Sequence, residues 1–309
     1  MKILVTGGAG FIGSHIVDAY LDLGHSVSVV DNLSTGRREN VNPRATLYQV
    51  DIRNLDEIKK VFSDASFDLV NHHAAQMDVR KSVDDPAYDA SVNIIGLLNL
   101  LECSVKSGVS RIVFASSGGA IYGELDYFPA DEQHPTRPIS PYGVAKLASE
   151  QYLYYYQTVH GLQSASLRYA NVYGPRQNPE GEAGVVAIFT SKMLSDGDPL
   201  INGDGKQTRD YVYVGDVVAA NVLALDVKAS AVFNVGTGKE TDVNQLFHHL
   251  RNAIGAKCDE RHGPAKKGEQ LRSVWSHAKI SKSLNWSPRV SLGEGLKLTA
   301  RYFRDRTKQ

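Results

Sequence analysis

Near its start the chain carries a short apolar run that breaks into three spaced glycines. Residues 2 to 14 read Lys-Ile-Leu-Val-Thr-Gly-Gly-Ala-Gly-Phe-Ile-Gly-Ser, the pattern of a strand, a tight loop and the start of a helix. Gly7 suits a sharp turn off the strand. Gly10 lets the backbone approach a pyrophosphate with no Cβ in the way, and Gly13 lets helix and strand pack closely. The helix N-terminus offers unpaired N–H groups and a positive dipole end to phosphates. Turns use glycine anyway, so the triplet gains its meaning from context. It opens an amphipathic helix (Ile12, Ile16, Val17, Tyr20, Leu21), and a second strand, Ser26 to Val30, follows and ends in Asp31.

An acidic residue at the end of that second strand can accept hydrogen bonds from both ribose hydroxyls of an adenosine and would repel a 2′-phosphate. Asn32 follows where a phosphate site would want a base, so the expected cofactor is NAD. Arg37 and Arg38 keep NADP as the alternative. Asp31-Asn-Leu-Ser-Thr-Gly36 also has turn composition, which is compatible with either.

Composition excludes several classes. Lys plus Arg equals Asp plus Glu at 34 each, which gives no basic surface for nucleic acid or anionic lipid. Cys103 and Cys258 are far apart and read as buried free thiols in a reducing compartment. No leader-like segment and no apolar stretch of membrane length stands out, so the expectation is a soluble cytoplasmic protein without a membrane partner. His72 and His73 are adjacent at a strand end and lack ligand spacing, so no metal is expected.

Along the chain, Thr46 to Asp51 and Phe67 to Ala74 read as strands around a helix at Leu55 to Phe62, a βαβ alternation. Asp51 and Ile52 fall at the carboxyl end of a strand, the ligand side of a parallel sheet, where Asp51 can hold an adenine amino group or serve a helix N-terminus. A long helix runs from Pro86 to about Lys106. Its mid-helix Asn93 either caps a backbone group or serves the cofactor. Arg111 to Ser117 is nearly all apolar and therefore a central strand, with Ser116 and Ser117 at its ligand end. Ser140-Pro141-Tyr142-Gly143-Val144-Ala145-Lys146 then starts a helix with serine as N-cap and proline at the first helical position. Four-residue spacing sets Tyr142 and Lys146 one turn apart on one face. A phenol is a poor base at neutral pH, but an adjacent ammonium and a bound nicotinamidium favour phenolate and make Tyr142 a general base.

These motifs, with Leu167-Arg-Tyr-Ala-Asn-Val-Tyr-Gly-Pro-Arg176, Gly203-Asp-Gly, Arg209-Asp-Tyr-Val-Tyr-Val214 and Asn234-Val-Gly-Thr-Gly238, make the chain resemble the extended short-chain dehydrogenases/reductases, and within them the UDP-glucose 4-epimerases, over nearly its whole length. The resemblance implies Tyr142 as base and Lys146 on the nicotinamide ribose. It implies a cofactor set of Gly7, Gly10, Phe11, Ile12, Gly13, Asp31, Asn32, Ser34, Gly36, Asp51, Ile52, Ala74, Ala75, Asn93, Ser116, Tyr142, Lys146 and Tyr169. The UDP-sugar set is Ser117, Asn171, Arg209, Tyr211, Lys266, Glu269 and Ser273. Two departures matter. Lys266 stands where the family usually has arginine, trading a bidentate fork for a point charge. Gly118 stands where the family usually has the Ser or Thr that relays a proton to the sugar 4-OH, leaving direct contact with Tyr142, a water, or Ser117 as the route.

The expected fold is α/β, a Rossmann-type doubly wound parallel sheet with a smaller C-terminal α/β substrate domain. Its expected division is 1–170 for NAD, completed by segments within 206–238, and 171–309 for the UDP-sugar. The expected function is NAD-dependent 4-epimerisation of UDP-hexoses through a transient 4-keto sugar. Ser273 in place of a bulky wall residue would leave room for N-acetylated forms. Rivals are a 4,6-dehydratase or decarboxylase, for which Gly119-Ala120 supplies no acid before Ile-Tyr-Gly, and a catalytically silent NAD-sensing regulator. The apolar and aromatic surface of the 85–106 and 140–160 helices, with Tyr152, Tyr154, Tyr155 and Tyr156, leads to the expectation of a homodimer through a helix bundle.

Overall fold

A computed structural model describes residues 1–180, 184–266 and 270–307. Six strands of its main sheet come from residues 2–169: β1 (Lys2–Thr6), β2 (Ser26–Val30), β3 (Thr46–Tyr48), β4 (Leu69–His72), β5 (Arg111–Ser117) and β6 (Gln163–Tyr169). The seventh, Ala231–Val235, arrives some sixty residues later in the chain and pairs with β6. All neighbours are parallel, and the order runs 231–235, β6, β5, β4, β1, β2, β3. The chain thus reverses direction across the sheet between β1 and β4, and the crevice outside the carboxyl ends there is where open α/β sheets take ligands.

Helices cover both faces, so the central strands are apolar on both sides. Ile3 and Val5 of β1 face one cluster with Ile16, Val17 and Tyr20 of α1 (Phe11–Asp22), while Leu4 faces another with Ile58 of α2 (Leu55–Asp64) and Leu97, Leu100 and Leu101. The period-two alternation of one strand therefore feeds two cores. Each fully buried aliphatic side chain contributes roughly 1.5–3 kcal/mol relative to exposure, so this packing holds the sheet's carboxyl edge rigid.

The expected helix over 86–106 exists, preceded by α3 (Val79–Asp84), but it is not uniform. It comprises α4 (Pro86–Ala90), one wide π-type turn at Ser91–Ile95 and α5 (Gly96–Lys106). The strands expected at 46–51 and 67–74 are shorter than read, ending at Tyr48 and His72, and the second begins only at Leu69. A one-turn α6 (Gly118–Ile121) follows β5, and α7 (Pro141–His160) starts with Ser140 accepting a hydrogen bond from Gly143 N at 3.1 Å and stops at Gly161 in the left-handed region.

The remaining residues complete the main sheet and build a smaller lobe beside it. In chain order they form β7 (Asn171–Tyr173), α8 (Val185–Leu194), β8 (Leu200–Asn202), β9 (Thr208–Arg209), β10 (Tyr211–Tyr213), α9 (Val214–Ala224), then β11 (Ala231–Val235, the seventh sheet strand), β12 (Thr241–Asp242), α10 (Val243–Ile254), β13 (Arg261–Gly263), β14 (Arg272–Ser273), α11 (Ala278–Leu284) and α12 (Leu292–Thr307). Of these, α9 packs back on α1 and the main sheet, whereas Tyr173, Phe189, Phe247, Leu250 and Leu296 form a separate core. Both cysteines are free and buried. No helix among the described residues is long and apolar enough to cross a membrane.

Candidate functional site

The glycine loop is as tight as its sequence demands. Gly7 has φ +70°, and a Cβ there would stand 2.6 Å from the Ala74 amide nitrogen; at Gly13 it would stand 2.2 Å from the Gly7 carbonyl oxygen. Any other residue at either place would push β1, β4 and α1 apart. At Gly10 a Cβ would meet only the Gly7 carbonyl oxygen, at 3.1 Å, so glycine there keeps the surface over the α1 N-terminus bare. No side chain caps α1, and its first N–H groups, those of Phe11, Ile12 and Gly13, face outward for an anion.

Asp31 is buried at the end of β2. One carboxylate oxygen accepts the Ala9 amide at 3.0 Å and the other the Leu33 amide at 2.8 Å. Burial pushes its carboxyl above the usual range, and those two amides oppose the shift. A Cβ at Gly36 would fall 2.8 Å from Asp31 Oδ1, so the carboxylate has a side-chain-free approach. This cradle fits an adenosine ribose with a pyrophosphate over α1, and hence a dinucleotide. Asp51, at the edge beyond β3, is paired within the chain. Arg53 binds it through two nitrogens at 3.0 and 2.8 Å and Asn32 donates to it at 3.0 Å, which lowers its carboxyl to about 2. Ser34 donates its amide to the Asn32 side chain at 3.0 Å, arranging the turn beside Asp31.

Asn93 holds a neighbouring stretch of backbone. Its Oδ1 accepts the Gln76 amide at 3.0 Å, and its Nδ2 donates to the Gln76 carbonyl and to Asp89 Oδ1, both at 2.9 Å. The π-type turn puts this polar residue inside the helix, and through Gln76 it fixes the chain that follows Ala74 and Ala75. His72 and His73 are hydrogen-bonded core residues: His72 Nδ1 lies 2.7 Å from Thr6 Oγ1, and His73 Nε2 lies 2.9 Å from Tyr169 Oη. Desolvation and the charge of Lys146 hold His73 down to about 3 and His72 well below its ordinary value.

Tyr142 and Lys146 sit in the first two turns of α7, beside the end of β5. Lys146 is buried; its Nζ donates to the Ala115 carbonyl at 2.8 Å and lies 5.7 Å from the centroid of the Tyr142 ring. Burial lowers this ammonium to about 8, against the raising influence of Asp89 and Glu150. Ser116 and Ser117 at the end of β5 have divergent roles. Ser116 Oγ donates to Glu150 at 2.6 Å, while Ser117 Oγ accepts the Ala120 amide at 3.4 Å as N-cap of α6. Tyr169 ends β6, with Asn221 donating to its hydroxyl at 2.8 Å, and burial pushes its phenol up.

In the smaller lobe, strand register assembles distant residues. Tyr211 of β10 pairs with Asn171 of β7, and Ser273 of β14 pairs with Arg209 of β9. Ser273 is buried with no hydrogen-bond partner for its hydroxyl, and Lys266 is exposed. Glu269 lies outside the described residues. Sequence reading missed three parts. Arg168 and Glu150 form a buried pair at 2.6 Å, extended through Tyr122 Oη to Asn234. Asp210 is fully buried and accepts hydrogen bonds from Thr237 and Gly238; its place inside the Arg-Asp-Tyr motif was the available signal. Trp275 lies against Gly118, and no local pattern announces that.

Comparison with known proteins adds four findings. Residues 3–236 match the model of the NAD dependent epimerase/dehydratase family. A UDP-glucose 4-epimerase of Thermotoga maritima, solved with UDP-glucose, superposes with a TM-score of 0.98 at 51% identity, covering 99% of this chain and 100% of that one. A UDP-glucose 4-epimerase of Thermus thermophilus, solved with NAD, superposes with a TM-score of 0.94 at 45% identity, covering 98% and 99%. A curated UDP-glucose 4-epimerase of Mycolicibacterium smegmatis is 41% identical over 100% of both chains.

Proposed function

The chain belongs to the NAD-dependent epimerase/dehydratase family, and on that premise we infer that it interconverts UDP-hexoses at C4, UDP-glucose with UDP-galactose, through a transient 4-keto sugar. The single observation that carries this is the full-length likeness to epimerases solved with NAD and with UDP-glucose. It is an isomerase, and NAD is its cofactor. When bound, the nicotinamide supplies a reversible hydride acceptor for C4, so the net reaction consumes no oxidant.

The roles of individual residues follow from their chemistry. Residues 1–170, completed from within 206–238, serve NAD, and 171–309 serve the UDP-sugar. The bare α1 N-terminus takes the pyrophosphate, and Asp31 takes the adenosine ribose. Lys146 holds the nicotinamide ribose and, as an ammonium beside the phenol, favours phenolate at Tyr142. Tyr142 Oη takes the proton as the O–H bond of the 4-hydroxyl breaks, and returns it when the keto oxygen becomes a hydroxyl again. Ser117, whose Oγ accepts from Ala120 and still carries a proton to donate, orients the 4-oxygen. Asn171, Arg209, Tyr211, Lys266 and Glu269 hold the UDP, and the small Ser273 leaves room for an N-acetyl group with its hydroxyl free to bond the amide. The exposed faces of the 86–106 and 141–160 helices pair in a homodimer.

The test is incubation of the holoenzyme with UDP-glucose, UDP-galactose and their N-acetylamino forms, with products identified by NMR. Conversion at C4 is expected for all four. No turnover of UDP-galactose or its acetylated form would refute the assignment, and rejection of the acetylated pair alone would refute the Ser273 pocket. Tyr142→Phe should lose roughly a hundredfold or more of activity while still binding NAD; unchanged activity would show that Tyr142 is not the base, and a wild-type chain that binds NAD yet turns over none of the four sugars would favour the silent regulator.

A further inference from the structure

Gly118 is the first residue of α6, and a Cβ there would stand 2.9 Å from Cε2, 3.2 Å from Cδ2 and 3.2 Å from Nε1 of Trp275. The obstacle is a ring rather than a flexible tip, and the ring has nowhere to go. Trp275 is fully buried, its ring centroid 5.1 Å from that of Tyr122, and a Cβ at Gly236 would also approach it, at 3.0 Å from Cδ1. Its backbone is tied down too. Ala130 N donates to Val274 O at 3.0 Å, Ser276 N donates to Ala130 O at 2.8 Å, and Trp275 N reaches Asp210 Oδ2 at 3.4 Å. The indole is thus clamped between two glycines and takes the volume that any side chain at 118 would occupy.

The other side of the same turn meets the catalytic helix. A Cβ at Gly143 would stand 2.2 Å from the Ala120 carbonyl oxygen, so α6 rests directly on the first turn of α7, next to Tyr142. Contact therefore runs from Trp275 through the Gly118 turn and Ala120 to Gly143 and Tyr142. Trp275 cannot itself carry the proton, since an indole N–H only donates. What it can do is set the height of the turn on which Tyr142 is seated.

We propose that Trp275 is a positioning residue matched to Gly118: the indole, in place of a side chain at 118, buttresses the α6 turn and so fixes Tyr142 against the sugar. This rests on the epimerase reading for its catalytic consequence but not for its packing. The matched-pair relation predicts strong non-additivity.

The experiment compares Gly118→Ala, Gly118→Ser, Trp275→Ala and the double variant Gly118→Ser/Trp275→Ala, with kcat, KM, UDP affinity by calorimetry and the unfolding midpoint read for each. Gly118→Ala and Gly118→Ser should lose kcat alike, at least tenfold, since the obstacle is the Cβ, and Trp275→Ala should also lose kcat. UDP affinity should stay within about twofold in every variant, because the nucleotide is held elsewhere. Gly118→Ser added to Trp275→Ala should cost nothing further in kcat or midpoint. Wild-type kcat in Gly118→Ser, losses that add in the double variant, or a parallel loss of UDP affinity would overturn the proposal. A wild-type chain that turns over no UDP-sugar would instead refute the epimerase reading. The unfolding midpoints would still report the packing pair: a Gly118→Ser deficit that persists in the double variant would show that the pair does not exist.

Discussion

At the scale of single residues, the site depends on a lysine whose charge the fold opposes. Lys146 is buried, and its ammonium is lowered to about 8, by burial first, with Asp89 and Glu150 pulling the other way. Glu150 is itself bound by Arg168 at 2.6 Å, which leaves Asp89 as the carboxylate with an unpartnered buried oxygen facing this region. Between about 8 and the ordinary lysine value near 10.5, the unfolded chain holds the Lys146 proton and the folded chain does not. Stability linked to this group therefore rises with pH across that window. Compared with Lys146→Met by chemical denaturation, the wild type should gain on the order of 3 kcal/mol between about pH 8 and 10.5. A difference that stays flat would mean Lys146 is not desolvated as described. The same residue illustrates how far sequence reaches: the four-residue spacing to Tyr142 is a backbone property and was readable, whereas the Ala115 carbonyl that anchors it is contributed by β5.

At the scale of elements, α7 carries both Tyr142 and Lys146, the proposed base and its partner. Its start follows from Ser140-Pro141 and its end from Gly161, local signals that any helix uses. Its seat on the sheet is another matter. Glu150 binds Arg168 of β6 through two contacts, at 3.0 and 2.6 Å, and also accepts Ser116 of β5 at 2.6 Å, all nearly free of solvent. Replacing one partner of such a pair leaves the other charge buried and uncompensated, which costs roughly 3–5 kcal/mol. Glu150→Gln should therefore destabilise by about that much in denaturant unfolding. A loss under about 1 kcal/mol, the scale of a surface pair, would show that water reaches Arg168. The wide turn at Ser91–Ile95 was not legible, because its apolar spacing still reads as an ordinary helix; the extra residue shows only once Asn93 is seen capping Gln76.

At the scale of the molecule, α7 leaves an apolar stripe uncovered. Val144, Tyr152, Tyr155 and Val159 recur at helical spacing and remain exposed, with Ile95 exposed on the neighbouring helix, while Tyr156 turns inward and donates to Glu102 at 2.6 Å. A contiguous stripe of this kind is suited to a second copy, and sedimentation at micromolar concentration should find a dimer that Tyr155→Glu/Val159→Glu converts to monomer. A monomeric wild type would refute the bundle. What the sequence by itself determined is the nucleotide edge and the Tyr142–Lys146 pair. Both are set within a strand, a loop or a helical turn, where glycine φ, capping and residue spacing leave few alternatives. The tertiary structure alone decided which residues meet in the region proposed for the sugar. Asn171 meets Tyr211, Ser273 meets Arg209, and Trp275 fills the place of a side chain at Gly118. Those neighbours are 40 to 157 residues apart in the chain, and only the register of short strands and the close packing of a buried ring bring them together.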